Sequence, residues 1–190
     1  MVASALVGTA PTLLYFGQEV GEPGAEDAGF GKSTRTSIFD YVGVPHHQRW
    51  MNGGKFDGGQ LTASEQALRD FYKRLLNLTI SSAALTGSYS DLHAYNRAHT
   101  TGYSDHLFSF ARWSAAQKLV VVSNFSNEET FTGTLQIPET LIQTWQLKDG
   151  RYPLQEELYG NQHAALQVTK GIGNIRLKVA PLESVVLSIR

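Results

Sequence analysis

The sequence predicts a mainly β protein with a smaller α/β part at its N-terminal end. Two observations predict the β part: short runs rich in β-branched and aromatic residues follow residue 105, and turn-forming residues separate them. About seven or eight strands at this spacing indicate an antiparallel sandwich or barrel. The α/β part is predicted by a short apolar run, LLYF, and by an amphipathic helix further along the chain.

The first predicted element is a buried strand over about residues 12–17, which ends at Gln18 and Glu19. In parallel sheets and barrels, ligands bind at the C-terminal ends of the strands. Gln18 and Glu19 are therefore candidates for lining a binding site. A Gly-rich stretch with little periodicity follows over residues 22–60, and we expect a long functional loop that its aromatic residues keep ordered.

A helix is predicted over about residues 62–79. Thr62 and Glu65 form a capping box, T-A-S-E, at its start. Apolar residues then recur at helical spacing and make a wide stripe, at Leu68, Phe71, Tyr72, Leu75 and Leu76. We expect the α/β part to span residues 1–96 and the antiparallel β domain to span residues 97–190.

The predicted strands of the β domain lie in the runs HLFSFARW, KLVVVSNF, ETFTGTLQI, IQTWQLKD, AALQVT, NIRLKV and ESVVLSI. The segments between them, such as SNEE, DGRYP and KGIG, are typical of turns. Trp113 and Trp145 lie within strand patterns, which favours packing in the core. Trp50 lies in the long loop, where core packing and stacking on a sugar ring are both open.

Composition excludes several classes of function. The chain has 190 residues, a net charge of −1 and no basic block, which argues against binding to nucleic acid. No apolar run is long enough for a transmembrane helix. The absence of cysteine excludes disulfides, thiolate metal sites and cysteine nucleophiles. We therefore expect no nucleic-acid partner, no membrane partner and no cofactor.

Two short motifs are interpreted as carrying no chemistry. GFGKST lacks the first glycine of a Walker phosphate loop, because position 26 is Glu, and no strand directly precedes it. His46 and His47 are adjacent, and no cluster of acidic or histidine residues at ligand spacing surrounds them. A solvated loop pair is the expected state of these two histidines, and no metal site is expected.

Several segments together resemble the α-amylase family of glycoside hydrolases. APTLLYFGQEVGE is similar to the segment around the last barrel strand of that family, with Tyr15, Gly17 and Glu19 at matching positions. RTSIFDY resembles the arginine-led segment that follows, with Arg35 in the place of the arginine. LRDFYKRLLNLTISSAALTGSY resembles the last barrel helix and its exit, and LFSFAR, LVVVSNFS and APLESVVLSI resemble the strands of the C-terminal sandwich.

The resemblance implies the final β/α unit of a TIM barrel followed by an antiparallel β-sandwich. It implies a parent protein that is a retaining α-glucan-active hydrolase or transglycosylase, working by double displacement. The catalytic carboxylates of the family are carried by earlier barrel strands, so we expect no catalytic carboxylate in this chain. We also expect that the chain starts in the middle of a fold and that it has no activity alone. Sugar-binding roles are implied for Gln18, Glu19, Arg35, Tyr41 and Trp50.

The expected partner is an α-glucan or maltooligosaccharide, bound through the parent protein. Self-association is also expected, through surface that the rest of the barrel would cover. Two other functions stay open at this stage. A β-sandwich could bind glucan without cleaving it, or it could serve as a structural or interaction module.

Overall fold

The computed structural model describes residues 1–22, 44–160 and 163–189. The chain divides into two compact units. The first comprises Met1–Pro11 and Asn77–Arg190, and the second comprises Thr12–Leu76.

The helices and strands have the following bounds in the described part of the chain. The α-helices are α1 (Val2–Leu6), α2 (Pro45–Met51), α3 (Ala63–Ser81), α4 (His93–His99) and α5 (Glu139–Thr144), and 3-10 helices span Gln18–Val20, Asn52–Gly54 and Ala83–Thr86. The strands are β1 (Ser88–Asp91), β2 (Leu107–Trp113), β3 (Lys118–Asn124), β4 (Phe131–Ile137), β5 (Gly150–Glu156), β6 (His163–Thr169), β7 (Ile172–Val179) and β8 (Ser184–Ile189). No helix in these ranges is both long and apolar enough to cross a membrane.

The β-strands of the described residues form one continuous antiparallel sheet in the order β1-β2-β3-β8-β5-β6-β7-β4. β8 therefore lies in the middle, between β3 and β5. The predicted number of strands and their antiparallel pairing are confirmed. The predicted sandwich of separate sheets is not confirmed, because all the strands belong to one hydrogen-bonded ladder.

This sheet curls around a single apolar core. Alternate residues of its strands point inward, and the buried cluster includes residues from β2, such as Leu107, through to the edge strand β4, such as Leu135. The curl brings β3 close to β7, where the side-chain amide of Asn124 donates to the carbonyl oxygen of Val179 at 3.2 Å. Trp145 is buried in this core and Trp113 packs against it, as expected.

Two predictions in the β domain are wrong. The run IQTWQLKD forms no strand, because α5 begins directly after Pro138 and includes Ile142. The expected turn DGRYP lies mostly within β5. Pro153 is paired with Ala165 in β6, and among the described residues β8 pairs with β5 only from Leu154 onward, so no described backbone group lacks a bond because of the missing N–H of the proline.

A buried arginine fastens the N-terminal helix to the sheet of the first unit. Arg112, in β2, is 2% exposed. Its guanidinium donates to the carbonyl oxygens of Val7 (2.9 Å), Leu85 and Gly87 (3.2 Å). Burial lowers the pKa of Arg112 below its ordinary value. Gly87 has no room for a side chain, because a Cβ there would lie 2.0 Å from the carbonyl oxygen of Trp113.

The predicted strand over residues 12–17 is not formed. This segment has no regular structure, and Leu13 is 86% exposed. A strand needs a neighbour to satisfy its backbone groups, and no described segment pairs with residues 12–17. The final β/α unit of a TIM barrel is therefore not confirmed.

The predicted helix is confirmed as α3, and its capping box is present. The N–H of Thr62 donates to the carboxylate of Glu65 at 2.8 Å, and the N–H of Glu65 approaches Thr62 Oγ1 at 3.4 Å. The apolar stripe is partly covered, since Tyr72 and Leu75 are buried. The expected long loop is wrong for residues 45–54, which form α2 and a 3-10 turn.

Candidate functional site

The candidate site lies in the second unit and begins at the 3-10 helix Gln18–Val20. Gly17 enters this helix with a φ of 75°, a conformation that glycine adopts without strain. Gln18 is held at both ends of its amide: its Oε1 accepts from the N–H of Tyr15 at 3.2 Å, and its Nε2 donates to the Tyr72 hydroxyl at 2.8 Å. Burial raises the pKa of that hydroxyl. Gln18 is thus fixed against α3.

Glu19, the next residue, forms an ion pair with an arginine that also contacts Trp50. Its carboxylate lies 3.2 Å from Nη1 of Arg69, which is on α3. The same guanidinium lies over the Trp50 ring, 4.6 Å from the ring centroid. Glu19, Arg69 and Trp50 therefore form a chain of carboxylate, cation and indole.

Trp50 belongs to a cluster of aromatic rings that is partly open to solvent. The ring centroids of His47 and Phe56 lie 5.4 Å and 5.8 Å from that of Trp50. Phe16 extends the cluster, 4.4 Å from His47. Phe56 is 56% exposed. Aromatic rings with a few polar groups beside them are the kinds of side chain that line small-molecule sites.

α2 positions Trp50, and its N-terminal cap comes from a distant residue. Pro45 occupies the first turn, where its missing N–H costs nothing. The N–H groups of His46 and His47 both donate to the Glu22 carboxylate at 3.0 Å. Since this cap is supplied from 24 residues away, no local pattern in the sequence reveals the helix.

Glu65, in the first turn of α3, joins that helix to α2. It is 6% exposed and accepts hydrogen bonds from Nε and Nη2 of Arg49. Nδ1 of His46 lies 2.8 Å from its Oε1 and 3.2 Å from the carbonyl oxygen of Val20; because both are acceptors, Nδ1 carries the hydrogen. The Arg49 guanidinium is the main cause that lowers the pKa of Glu65 from 4.5 to about 2.

The two histidines are not the solvated loop pair that the sequence predicts. Both lie in the first turn of α2. His47 packs between Phe16 and Trp50, and its Nδ1 is buried without a hydrogen-bond partner among the described residues. The residues that surround the two histidines come from segments remote in sequence, so the adjacency of His46 and His47 does not predict their environment.

The structure brings together three of the five predicted sugar-binding residues, in the same unit: Gln18, Glu19 and Trp50. Arg35 and Tyr41 lie outside the described residues. Sequence reasoning missed Arg69 as the residue that links Glu19 to Trp50. The one feature of the sequence that could have indicated Arg69 is its position in the predicted helix, one residue after Leu68 and three before Tyr72.

Two carboxylates of the candidate site form ion pairs with arginine side chains. Glu19 is paired with Arg69 and Glu65 with Arg49, so each carboxylate already has a cationic partner. No group of three or more His, Asp or Glu residues in the described ranges could hold a metal ion. The groups that this site presents to a ligand are the indole of Trp50 and the rings beside it, whereas the side chains of Gln18 and Glu19 are already hydrogen-bonded or ion-paired within the unit.

No family model and no curated protein matches this sequence. Solved structures do match its fold. AmyP E221Q in complex with maltotriose is 15% identical and has a TM-score of 0.59, over 100% of this chain and 33% of that one. The α-amylase from Geobacillus thermoleovorans in complex with acarbose is 16% identical, with a TM-score of 0.54, over 100% of this chain and 32% of that one. CldA, a cyclomaltodextrin glucanotransferase, is 16% identical, with a TM-score of 0.56, over 100% of this chain and 31% of that one.

This chain therefore spans about a third of the length of the proteins that it matches. At such low identity the likeness establishes the fold alone. The resemblance that the sequence motifs indicate is thus shown at the level of structure: the chain has the fold of a portion of α-amylase-family enzymes, consistent with their C-terminal portion.

Proposed function

We propose that this chain is the C-terminal part of a retaining α-glucan-active glycoside hydrolase or transglycosylase. The observation that carries the proposal is the match of the whole chain to about a third of α-amylase-type enzymes. Such enzymes need two carboxyl groups about 5–5.5 Å apart across the scissile bond. In our proposal, both groups belong to segments of the parent protein outside this chain, which is inactive alone.

The role we propose for the second unit is to line the rim of the sugar-binding cleft. Arg69 covers one face of the Trp50 indole, 4.6 Å from the ring centroid, and we propose that the opposite face stacks on a glucose ring. Gln18 and Glu19 would hydrogen-bond near the same sugar. Arg35 would organise the loop that follows and Tyr41 would touch sugar.

The first test compares two proteins on maltooligosaccharides: the natural gene product and this 190-residue chain. We expect the natural product to be longer and active, and the chain to release no product. Hydrolysis by the chain alone would overturn the assignment of the catalytic groups to other segments. Glu19→Gln and Asp57→Asn would then be the first variants to assay.

The second test is Trp50→Ala in the natural gene product, with maltotriose binding measured by isothermal titration calorimetry. Loss of a stacking ring should weaken binding by about tenfold, since about 1.4 kcal/mol corresponds to that factor. Trp50→Phe keeps a ring and should lose less. Phe125→Ala is the matched control, because Phe125 is 56% exposed in the first unit. Equal affinity of all three variants would remove Trp50 from the proposed site.

A non-catalytic role is the alternative, either as a carbohydrate-binding module or as a structural one. The same experiments separate these functions. If the natural product has the length of this chain and retains glucan on an affinity matrix without hydrolysis, it is a binding module. If it neither binds nor cleaves any glucan, it is a structural or interaction module.

We also propose that the isolated chain self-associates through the segment before Gln18. Leu13 is 86%, Tyr15 48% and Phe16 37% exposed, so three neighbouring large apolar side chains face solvent. Sedimentation velocity should show concentration-dependent dimers or larger species. The variant Leu13→Ser, Phe16→Ser should shift the chain to monomer, and an unchanged distribution would contradict this proposal.

A further inference from the structure

A groove on the outer face of the first unit has no assigned role. It has a volume of about 550 Å³ and is lined by Thr134, Arg151, Ala164, Ala165, Gln167, Asn174 and Arg176. These residues come from β4, β5, β6 and β7, which are adjacent in the sheet. A cavity of this size falls within the range of sites for small organic molecules.

Strand register fixes the spacing of the polar groups in this groove. Arg151 is paired with Gln167, and Gln167 is paired with Asn174, so the three side chains form one row across three strands. Thr134 and Arg176 are paired in the next row, two residues along β7. With strands about 4.8 Å apart and about 3.4 Å per residue, the Cα atoms of Arg151 and Arg176 are about 12 Å apart. Two extended arginine side chains can span that distance from opposite sides.

The groove is positively charged and its cations are available. Among the described residues, neither Arg151 nor Arg176 forms an ion pair. The outward-facing positions of β4, β5, β6 and β7 carry no Asp or Glu in the described ranges, although the whole chain has a net charge of −1. Positive charge is therefore concentrated on this face of the sheet, and the ligand with complementary charge is an anion.

The neutral part of the lining indicates what the anion is attached to. The side-chain oxygens of Gln167 and Asn174 can accept hydrogen bonds from sugar hydroxyls, and the Thr134 hydroxyl can donate or accept. The amide nitrogens of Gln167 and Asn174 already donate to the carbonyl oxygens of Gly150 (3.2 Å) and Ile172 (3.5 Å). Ala165 is small and leaves room above the strands, whereas the side chain of its neighbour Ala164 packs against the core. The lining contains no aromatic ring, so a neutral sugar would gain no stacking here.

We propose that this groove binds a phosphorylated sugar. The guanidinium groups of Arg151 and Arg176 would hold the phosphate, since the planar donor fork of arginine matches the oxygens of a phosphate. The side-chain oxygens of Gln167 and Asn174 would accept hydrogen bonds from the sugar hydroxyls. The site lies in the first unit and is independent of the function proposed for Trp50.

The test is titration of the chain with glucose 6-phosphate at low ionic strength by isothermal titration calorimetry. We expect saturable binding, weakened about tenfold or more by Arg151→Gln and by Arg176→Gln, because each removes a charge-assisted hydrogen bond. Lys118→Gln is the matched control: it removes one positive charge from the same sheet outside the groove, and it should leave affinity unchanged. Thermal unfolding of each variant should match the wild type, since both arginines are exposed.

Three comparisons decide the outcome. Glucose and maltose should bind at least tenfold more weakly than glucose 6-phosphate, because they lack the anion. Inorganic phosphate binding as tightly as glucose 6-phosphate would overturn the role of the sugar. Absence of binding, or equal affinity of Arg151→Gln, Arg176→Gln and Lys118→Gln, would overturn the site itself.

Discussion

The side-chain amide of Asn96 makes both hydrogen bonds that a neighbouring strand would make with Gln136. The N–H of Gln136 donates to Asn96 Oδ1 at 2.8 Å, and Asn96 Nδ2 donates to the carbonyl oxygen of Gln136 at 2.9 Å. Thr100 extends the contact by donating its hydroxyl to the carbonyl oxygen of Thr134 at 3.3 Å. Because β4 is an edge strand, α4 thereby covers backbone groups that could otherwise pair with another chain.

Asn96→Ala should destabilise the first unit. Asn96 is completely buried, and its removal leaves the N–H and C=O of Gln136 without partners. Leaving buried polar groups unpaired costs about 1–3 kcal/mol. Urea unfolding followed by circular dichroism measures this change, with the partly exposed Asn174→Ala as the control. A loss no larger than that of the control would show that water replaces the amide.

Arg112→Leu should cost about 2–3 kcal/mol of unfolding free energy, because it removes charge-assisted hydrogen bonds to buried carbonyl oxygens. Arg112→Lys should recover only part of this loss, since an ammonium group cannot reach Val7, Leu85 and Gly87 together. The measurement is the midpoint of urea unfolding, with Lys118→Leu as the control. Full recovery by lysine would contradict the proposed geometry.

The ion pair of Glu65 with Arg49 should make stability depend on pH. The folded-state pKa of Glu65 is about 2, below its ordinary value of 4.5. A carboxyl group with a lowered pKa stabilises the fold above its ordinary value, and this contribution is lost as pH falls toward 2. The stability difference between wild type and Glu65→Gln should therefore shrink as pH falls from about 6 to about 3.

The matched control for that titration is Glu128→Gln, because Glu128 is exposed and has no cationic partner among the described residues. Its difference from wild type should stay small across the same range. Chemical unfolding followed by circular dichroism at each pH gives both curves. A Glu65→Gln difference that is constant with pH would show that the ion pair is not the stabilising contact.

Glu156→Gln should loosen the turn after β5. Glu156 is 2% exposed, and its carboxylate accepts hydrogen bonds from the N–H groups of Leu158 (3.1 Å), Tyr159 and Gly160 (2.8 Å). A glutamine places an NH₂ group against donors, so we expect a loss of about 2 kcal/mol. Hydrogen exchange of the three amides measures it, with Glu128→Gln as the control. Unchanged protection would refute the prediction.

The sequence predicts correctly those helices and strands whose stabilising residues lie within the element itself. α3 carries its own cap in Thr62 and Glu65, the run that forms β2 is rich in aromatic residues, and the runs that form β3 and β8 are rich in valine. α2 was missed because its cap, Glu22, is remote in sequence. β5 was missed because Pro153 reads as a turn residue until its pairing partners are known.

The candidate site is also predictable only in part, because some of its contacts join residues that are remote in sequence. The sequence indicates Trp50 because an aromatic residue is unusual in a polar stretch, and it indicates Glu19 because this residue follows an apolar run. The ion pair between Glu19 and Arg69 joins residues 50 positions apart, which no periodicity reveals. The segment over residues 12–17 misled the prediction, because an apolar run signals burial without showing which neighbour buries it.

The central place of β8 has a consequence for biosynthesis. Along the chain, β8 follows all the other described strands, yet it alone joins the group β1-β2-β3 to the group β5-β6-β7-β4. A nascent chain on the ribosome can form hairpins within each group but cannot close the ladder until Ser184–Ile189 has emerged. Until then, β3 and β5 are both open edges, and each exposes backbone groups that can pair with another chain.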